Sequence, residues 1–174
     1  MPYDVSEARS LATLGLLTRG ALHEISNPLV GLIGSAELSL DDAEPGTKLH
    51  DRIALTHRTG SEIAGIVRAL QTFIRLQDKP TGPLSLGEAA AEAVALIDLV
   101  LPTHDVTLTA AGDATVVAAP GEVYCALVEL LVEALKRSES RGAIALTVRS
   151  EGDEAIVTAT GGGELRLPAV EVVA

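Results

Sequence analysis

Aromatic side chains are almost missing from this chain: one Phe, two Tyr and no Trp in 174 residues. Any core must be assembled from Leu, Ile, Val and Ala, which a hydrophobic content of 47% supplies. Cysteine occurs once, at Cys125, which excludes an intrachain disulfide. Its apolar helical setting reads as a buried structural thiol in a reducing compartment. Positive charge is scarce as well. The net charge of −11 excludes the basic footprint that nucleic acid or an anionic membrane surface demands. No apolar run nears the ~18 residues of a membrane span, and the start Met1-Pro2-Tyr3-Asp4-Val5-Ser6-Glu7 is not that of a signal peptide. The expectation is a soluble, cytoplasmic protein with no nucleic-acid and no membrane partner.

What is abundant is helical periodicity. Asp4-Val5-Ser6-Glu7 approaches a capping box, and from there to about Asp42 the pattern is helical. Leu22, Ile25, Leu29, Leu32 and Ala36 keep the three-and-four spacing of a bundle seam. After the turn Ala43-Glu44-Pro45-Gly46, a second helix is predicted from about Thr47 to Gln77. Its stripe is Leu49, Ile53, Thr56, Gly60, Ile63, Val67, Leu70 and Ile74. Two helices, each roughly 45 Å long at 1.5 Å per residue, form an antiparallel hairpin. One hairpin cannot bury both apolar faces, so pairing of two into a four-helix bundle predicts a homodimer.

Asp78-Lys79-Pro80-Thr81-Gly82-Pro83 is a stiff linker, dividing the chain into residues 1–79 and 80–174. Beyond it the elements are mixed. A strand at Leu84–Leu86, a helix over Gly87–Leu101 and strands at Asp105–Ala110 and Ala114–Ala118 come first. A helix over Gly121–Ser138, a hairpin of Ala143–Arg149 and Glu154–Thr160 across Gly152, and an edge strand at Glu164–Leu167 complete it. The fold class is α+β: a long helical hairpin, then a small α/β sandwich.

Within the first helix, Leu22-His23-Glu24-Ile25-Ser26-Asn27-Pro28-Leu29 breaks a rule. A mid-helix proline removes a hydrogen bond and clashes with the carbonyl four residues back, that of Glu24, at roughly 3 kcal/mol. Such a break inside a consistent element marks a functional site. With Leu22 and Ile25 in the seam, His23 falls outward in line with Leu16 and Val30, and Gly20, Asn27 and Gly34 form the adjacent row. Arg19, one turn earlier, is placed to steer a phosphate. Glu24 is suited to accept the imidazole proton or fix its tautomer, and Asn27 to orient a water. His50 and His57, seven apart, lack the spacing and acidic company of a metal site and read as solvated-face residues; His104 sits in a turn.

These residues resemble the H-box of sensor histidine kinases, in the dimerisation and histidine-phosphotransfer domain of that family. The likeness covers about Ser6 to Gln77 and continues more weakly towards the C-terminus. It implies that His23 is the phosphoacceptor, Glu24 the acid/base helper and Asn27 the residue associated with dephosphorylation. The second part resembles the family's ATP-binding domain in order of elements and departs from it in chemistry. Glu129 and Glu133 stand where the family's helix carries two asparagines, the second of which holds magnesium. Thr160-Gly161-Gly162-Gly163 replaces the pattern Asp-x-Gly-x-Gly, so the adenine-reading aspartate is missing, and no lid-length loop follows. The glycine run reads as a turn, with no helix behind it to receive an anion.

The expectation is a histidine phosphotransferase of a bacterial phosphorelay. It would shuttle a phosphoryl group between receiver-domain aspartates through His23, with Leu16, Arg19, Gly20 and Val30 contacting the partner. It would use no cofactor of its own, since the response-regulator receiver supplies the Mg, and have no ATP site and no metal site. A histidine kinase with an atypical ATP site and a non-catalytic dimeric adaptor are the alternatives.

Overall fold

The computed structural model describes residues 5–101, 106–138 and 142–169, the first eight of these by backbone alone. The capping box at Asp4–Glu7, Asp105 and His104 therefore lie outside the residues whose side chains are described. The chain is α+β and divides into two compact units, residues 1–74 and 75–174.

The first unit is a helical hairpin. Helix α1 spans Val5–Asp42 and runs unbroken through Pro28; α2 spans Lys48–Leu76. Between them Gly46 takes a φ of 81°, and the Thr47 hydroxyl accepts the His50 N–H at 3.2 Å, capping α2. The contacts show the helices antiparallel. Gln71 meets Leu22 and Ser26, whereas Gly60 lies against Leu32 and Ile33. A methyl on Gly60 would sit 3.0 Å from the Leu32 side chain and 3.1 Å from that of Ile33, so this glycine sets the close approach.

The predicted seam splits in two. Leu22, Ala36, Gly60 and Val67 turn inward and are buried, joined by Ala64, which the predicted stripe did not include, while Ile25 and Leu32 stay 44% and 46% exposed. Leu49 and Ile63 are exposed too. A two-helix seam is narrow, so the flank of the predicted stripe stays uncovered within the hairpin. His50 and His57 are half-buried rather than solvated, because their positions turn towards α1.

The second unit contains β1 (Gly82–Ser85), α3 (Leu86–Val100), β2 (Val106–Ala111), β3 (Thr115–Ala118), α4 (Pro120–Arg137), β4 (Gly142–Glu151), β5 (Glu154–Ala159) and β6 (Glu164–Pro168). Ser85 caps α3 by accepting the Glu88 N–H at 3.0 Å, and Pro120 opens α4 where its missing N–H does no harm. The strands form two sheets: an antiparallel β1–β3 pair, and β2-β4-β5-β6 with β2 parallel to β4. An isolated bridge, Val116 to Ala169, links them. Ile144, Leu146 and Val148 of β4 and Ala155, Val157 and Ala159 of β5 alternate towards α3 and α4. They meet Leu86, Ala90, Leu127 and Leu131 in an aliphatic core. Cys125 is half-buried, not fully buried; its thiol donates to Gln77 Oε1 at 3.8 Å, and burial pushes its pKa up.

Candidate functional site

Helix α1 presents one continuous row of outward positions: Leu16, Gly20, His23, Asn27, Val30, Gly34 and Leu38. Steps of three or four residues keep these on one face, since each residue advances about 100°. His23, Asn27 and Gly20 are exposed, and Leu16 and Val30 are 71% and 70% exposed. Leu38 extends the row by one turn and was missed by the sequence reading, which stopped at Gly34. Its signal was available: a leucine four residues past Gly34, in the outward phase of a helix with its apolar face elsewhere.

The structure brings His23 and Asn27 together on this row. It does not bring Glu24 onto it, because neighbouring helical positions diverge by about 100°. Glu24 leaves α1 on the next face, exposed. No hydrogen bond or ion pair among the described residues engages His23, Glu24 or Asn27. Arg19 is exposed, one turn before His23, and has interactions of its own. The result is an uncommitted imidazole on a surface with low relief: a Cβ on Gly20 or Gly34 would meet nothing within 4 Å.

Beneath His23 the seam is polar. Gln71 Nε2 donates to the Leu22 carbonyl at 3.3 Å and to the Ser26 hydroxyl at 3.0 Å, and that hydroxyl donates to the same carbonyl at 2.9 Å. Gln71 escaped the sequence reading, which assigned its neighbours Leu70 and Ile74 to the stripe.

In the second unit, Glu129 and Glu133 are exposed on α4 and, with Ala126, Leu130, Glu164 and Leu165, line a cleft of about 280 Å³. Gly161, Gly162 and Gly163 have φ of 89°, 93° and 132°, and form the β5–β6 turn, so glycine is required there by conformation. The Arg137 guanidinium bonds Glu133 at 2.8 Å and the Gly162 carbonyl, tying α4 to that turn. Thr160 is held by β4, its hydroxyl accepting the Ala145 N–H at 3.0 Å. Three carboxylates around the cleft would repel a triphosphate, and a strand, not a helix N-terminus, follows the glycines. Among the described residues no cluster of three or more His, Cys, Asp or Glu is placed to hold a metal ion. Within them, no helix is long and apolar enough to cross a membrane.

No protein-family model and no curated protein matches the sequence. Among solved structures, the chain is similar to full-length ShkA in complex with AMPPNP, at 18% identity and a TM-score of 0.45 over 87% of this chain and 32% of that one. It is similar to a bacterial phosphotransferase at 13% identity and a TM-score of 0.49, over 85% and 66%. A third is the histidine kinase ThkA in complex with the response regulator protein TrrA, at 19% identity and a TM-score of 0.41, over 87% and 46%. The chain thus spans about a third to two thirds of the length of these proteins. Identities and scores this low leave function to be argued from the residues themselves.

Proposed function

We propose that this protein is a histidine phosphotransferase of two-component signalling, carrying a phosphoryl group on His23 between receiver-domain aspartates. The observation that carries the reading is the uncommitted, exposed His23 at the centre of a smooth row that Leu16 and Val30 make apolar on either side. A neutral imidazole nitrogen attacks the phosphorus of an aspartyl phosphate. A P–N bond forms as the acyl P–O bond breaks, and the aspartate leaves as a carboxylate. The return step reverses these bonds on a second receiver. The receiver's own magnesium meets the charge that develops on the transferring oxygens, so no metal is needed from this chain. Glu24 manages the imidazole proton by swinging from its neighbouring face, and Asn27, on the same row, is placed for a water.

Two further elements belong to the proposal. The protein works as a homodimer, pairing hairpins through the exposed Ile25 and Leu32 flank. It does not draw phosphate from ATP, since the cleft beside Glu129, Glu133 and Glu164 is acidic and Arg137 is latched across its edge.

The deciding experiment offers the protein a ³²P-phosphorylated receiver domain and, separately, γ-labelled ATP. Label is expected on the wild type from the receiver, none on His23→Gln, and none on either from ATP. Rapid labelling by ATP that is lost in His23→Gln would favour a kinase. Receiver binding that persists in His23→Gln, with no label on the wild type, would favour an adaptor.

A further inference from the structure

A glutamine and a serine in the seam of a two-helix hairpin need a reason. Gln71 occupies a position of α2 between the buried Val67 and the half-buried Ile74, facing Leu22 and Ser26 of α1. Leu22, Ala64 and Val67 of the same seam are apolar and buried. A leucine at 71 would bury more apolar surface and leave no amide to satisfy. Polar pairs at such positions serve specificity of arrangement, not bulk stability.

The arrangement they specify lies at His23. Two of the three bonds of the triangle end on the Leu22 carbonyl and the third joins their donors, and that carbonyl belongs to the same peptide unit as the His23 N–H. The peptide is planar, so fixing the carbonyl fixes the plane from which the His23 Cα–Cβ bond departs. The segment needs such a restraint. Pro28 leaves the Glu24 carbonyl without its helical donor and crowds it, and a serine bonded back to the carbonyl four residues earlier bends a helix. Both disturbances fall within a turn or so of His23, and Gln71 reaches across from α2 to hold the point between them.

We propose that Gln71 is a positioning residue for His23. Acting through Ser26 and the Leu22 carbonyl, it sets the direction in which the imidazole leaves the hairpin. The inference rests on the phosphotransfer reading. In-line attack on phosphorus tolerates little misplacement, so a freed peptide plane is expected to slow the chemical step without changing how the receiver docks.

The test uses the full chain and the receiver domain that labels the wild type fastest, phosphorylated with acetyl phosphate. Gln71→Met keeps the length and removes the donors; Ser26→Ala removes one hydroxyl and serves as well where Gln71→Met does not fold. Either is expected to lower the maximal transfer rate about tenfold or more, at an unchanged half-saturating receiver concentration. The melting temperature should not fall in Gln71→Met, and direct labelling of His23 by phosphoramidate, which needs no receiver, should match the wild type. An unchanged maximal rate overturns the inference. So does a slower rate that follows a lower melting temperature, lost phosphoramidate labelling or a raised half-saturating concentration, which marks a purely structural role. A wild type that takes phosphate from no receiver removes the relay reading itself and this inference with it. A working wild type equalled by Gln71→Met removes the positioning role alone.

Discussion

Glycine in α1 sets the residue-scale question. Gly15, Gly20, Gly31 and Gly34 each weaken a helix by about 0.5–1 kcal/mol relative to alanine, yet a Cβ on any of them would meet nothing within 4 Å. Packing among the described residues gives no reason for them. Gly20 and Gly34 share the row of His23, where a partner's backbone approaching closely would give one. Gly20→Ala and Gly34→Ala are therefore expected to raise stability to thermal unfolding by about 0.5–1 kcal/mol each and to weaken receiver binding. Calorimetric melting and titration with a receiver domain check the two halves. Higher stability with unchanged binding would remove these glycines from the docking surface. At Gly60 the gain is opposed, because a methyl there presses on the Leu32 and Ile33 side chains, which must give way by a few tenths of an ångström.

The row itself was legible in the sequence, because one apolar phase of a helix fixes the direction of every other residue on it. Gln71 was not. A hydropathy pattern discards a polar residue in a seam, and its justification, Ser26, lies 45 positions away on another helix. The buried or exposed state of seam positions was equally hidden: Leu22 and Ile25 have the same spacing signal, and only the width of a two-helix contact separates them.

Element boundaries came through because they are chemical signals. Ser85 and Thr47 cap, Pro120 starts, Gly152 turns, and each element's ends agree with those expected from them to within a few residues. Strand pairing did not come through. β2 and β3 flank Gly112-Asp113 like the arms of a hairpin, yet they enter different sheets. Asp113 explains why. Its Oδ1 accepts from the Ser85 hydroxyl, the Gly87 N–H and the Ala114 N–H, each at 2.8 Å, so the turn is bound to the start of α3. Gly87 allows the approach, since a Cβ there would lie 2.6 Å from the Gly112 carbonyl. The Gly87 N–H is the largest cause holding the Asp113 carboxyl below the ordinary carboxylate range; burial opposes it, and the Ser85 hydroxyl and the Ala114 N–H add to the lowering. A folded-state pKa below the unfolded one contributes stability above the unfolded value of 3.8, and that contribution is lost as pH falls through the lowered value. Asp113→Ala should cost about 1–2 kcal/mol at neutral pH, the scale of a lost cap. Between pH 5 and pH 2 its stability should decline less than that of the wild type. Urea unfolding across that range checks it; parallel curves would show that the carboxylate is not what joins the turn to α3.

At the scale of the whole molecule, the hairpin has more apolar surface than it can cover. Leu14, Leu17, Ile25, Leu32, Leu49 and Ile63 are all exposed, and a groove of about 530 Å³ runs beside Pro28, Leu32, Ala36 and Ile53. Exposed patches of this kind on a helical surface mark association. On the α1 wheel, Ile25 and Leu32 lie about 160–180° from His23, so a second hairpin seated there would leave the His23 row open to receivers. Geometry thus lets dimerisation and docking use opposite faces, and substitutions should separate them. Ile25→Asp with Leu32→Asp is expected to convert a dimer into a monomer of reduced helix content, since each buried carboxylate would lack a partner. Leu16→Asp with Val30→Asp should leave the dimer intact while weakening the receiver. Each chain also carries a net charge of −11, so pairing brings like charges together and dimer affinity should rise with added salt. Sedimentation equilibrium at low and high salt reads all three. A wild type monomeric at every salt concentration would overturn the dimer. A Leu16/Val30 variant that dissociates would instead place the association face on the His23 row, where docking and dimerisation would compete.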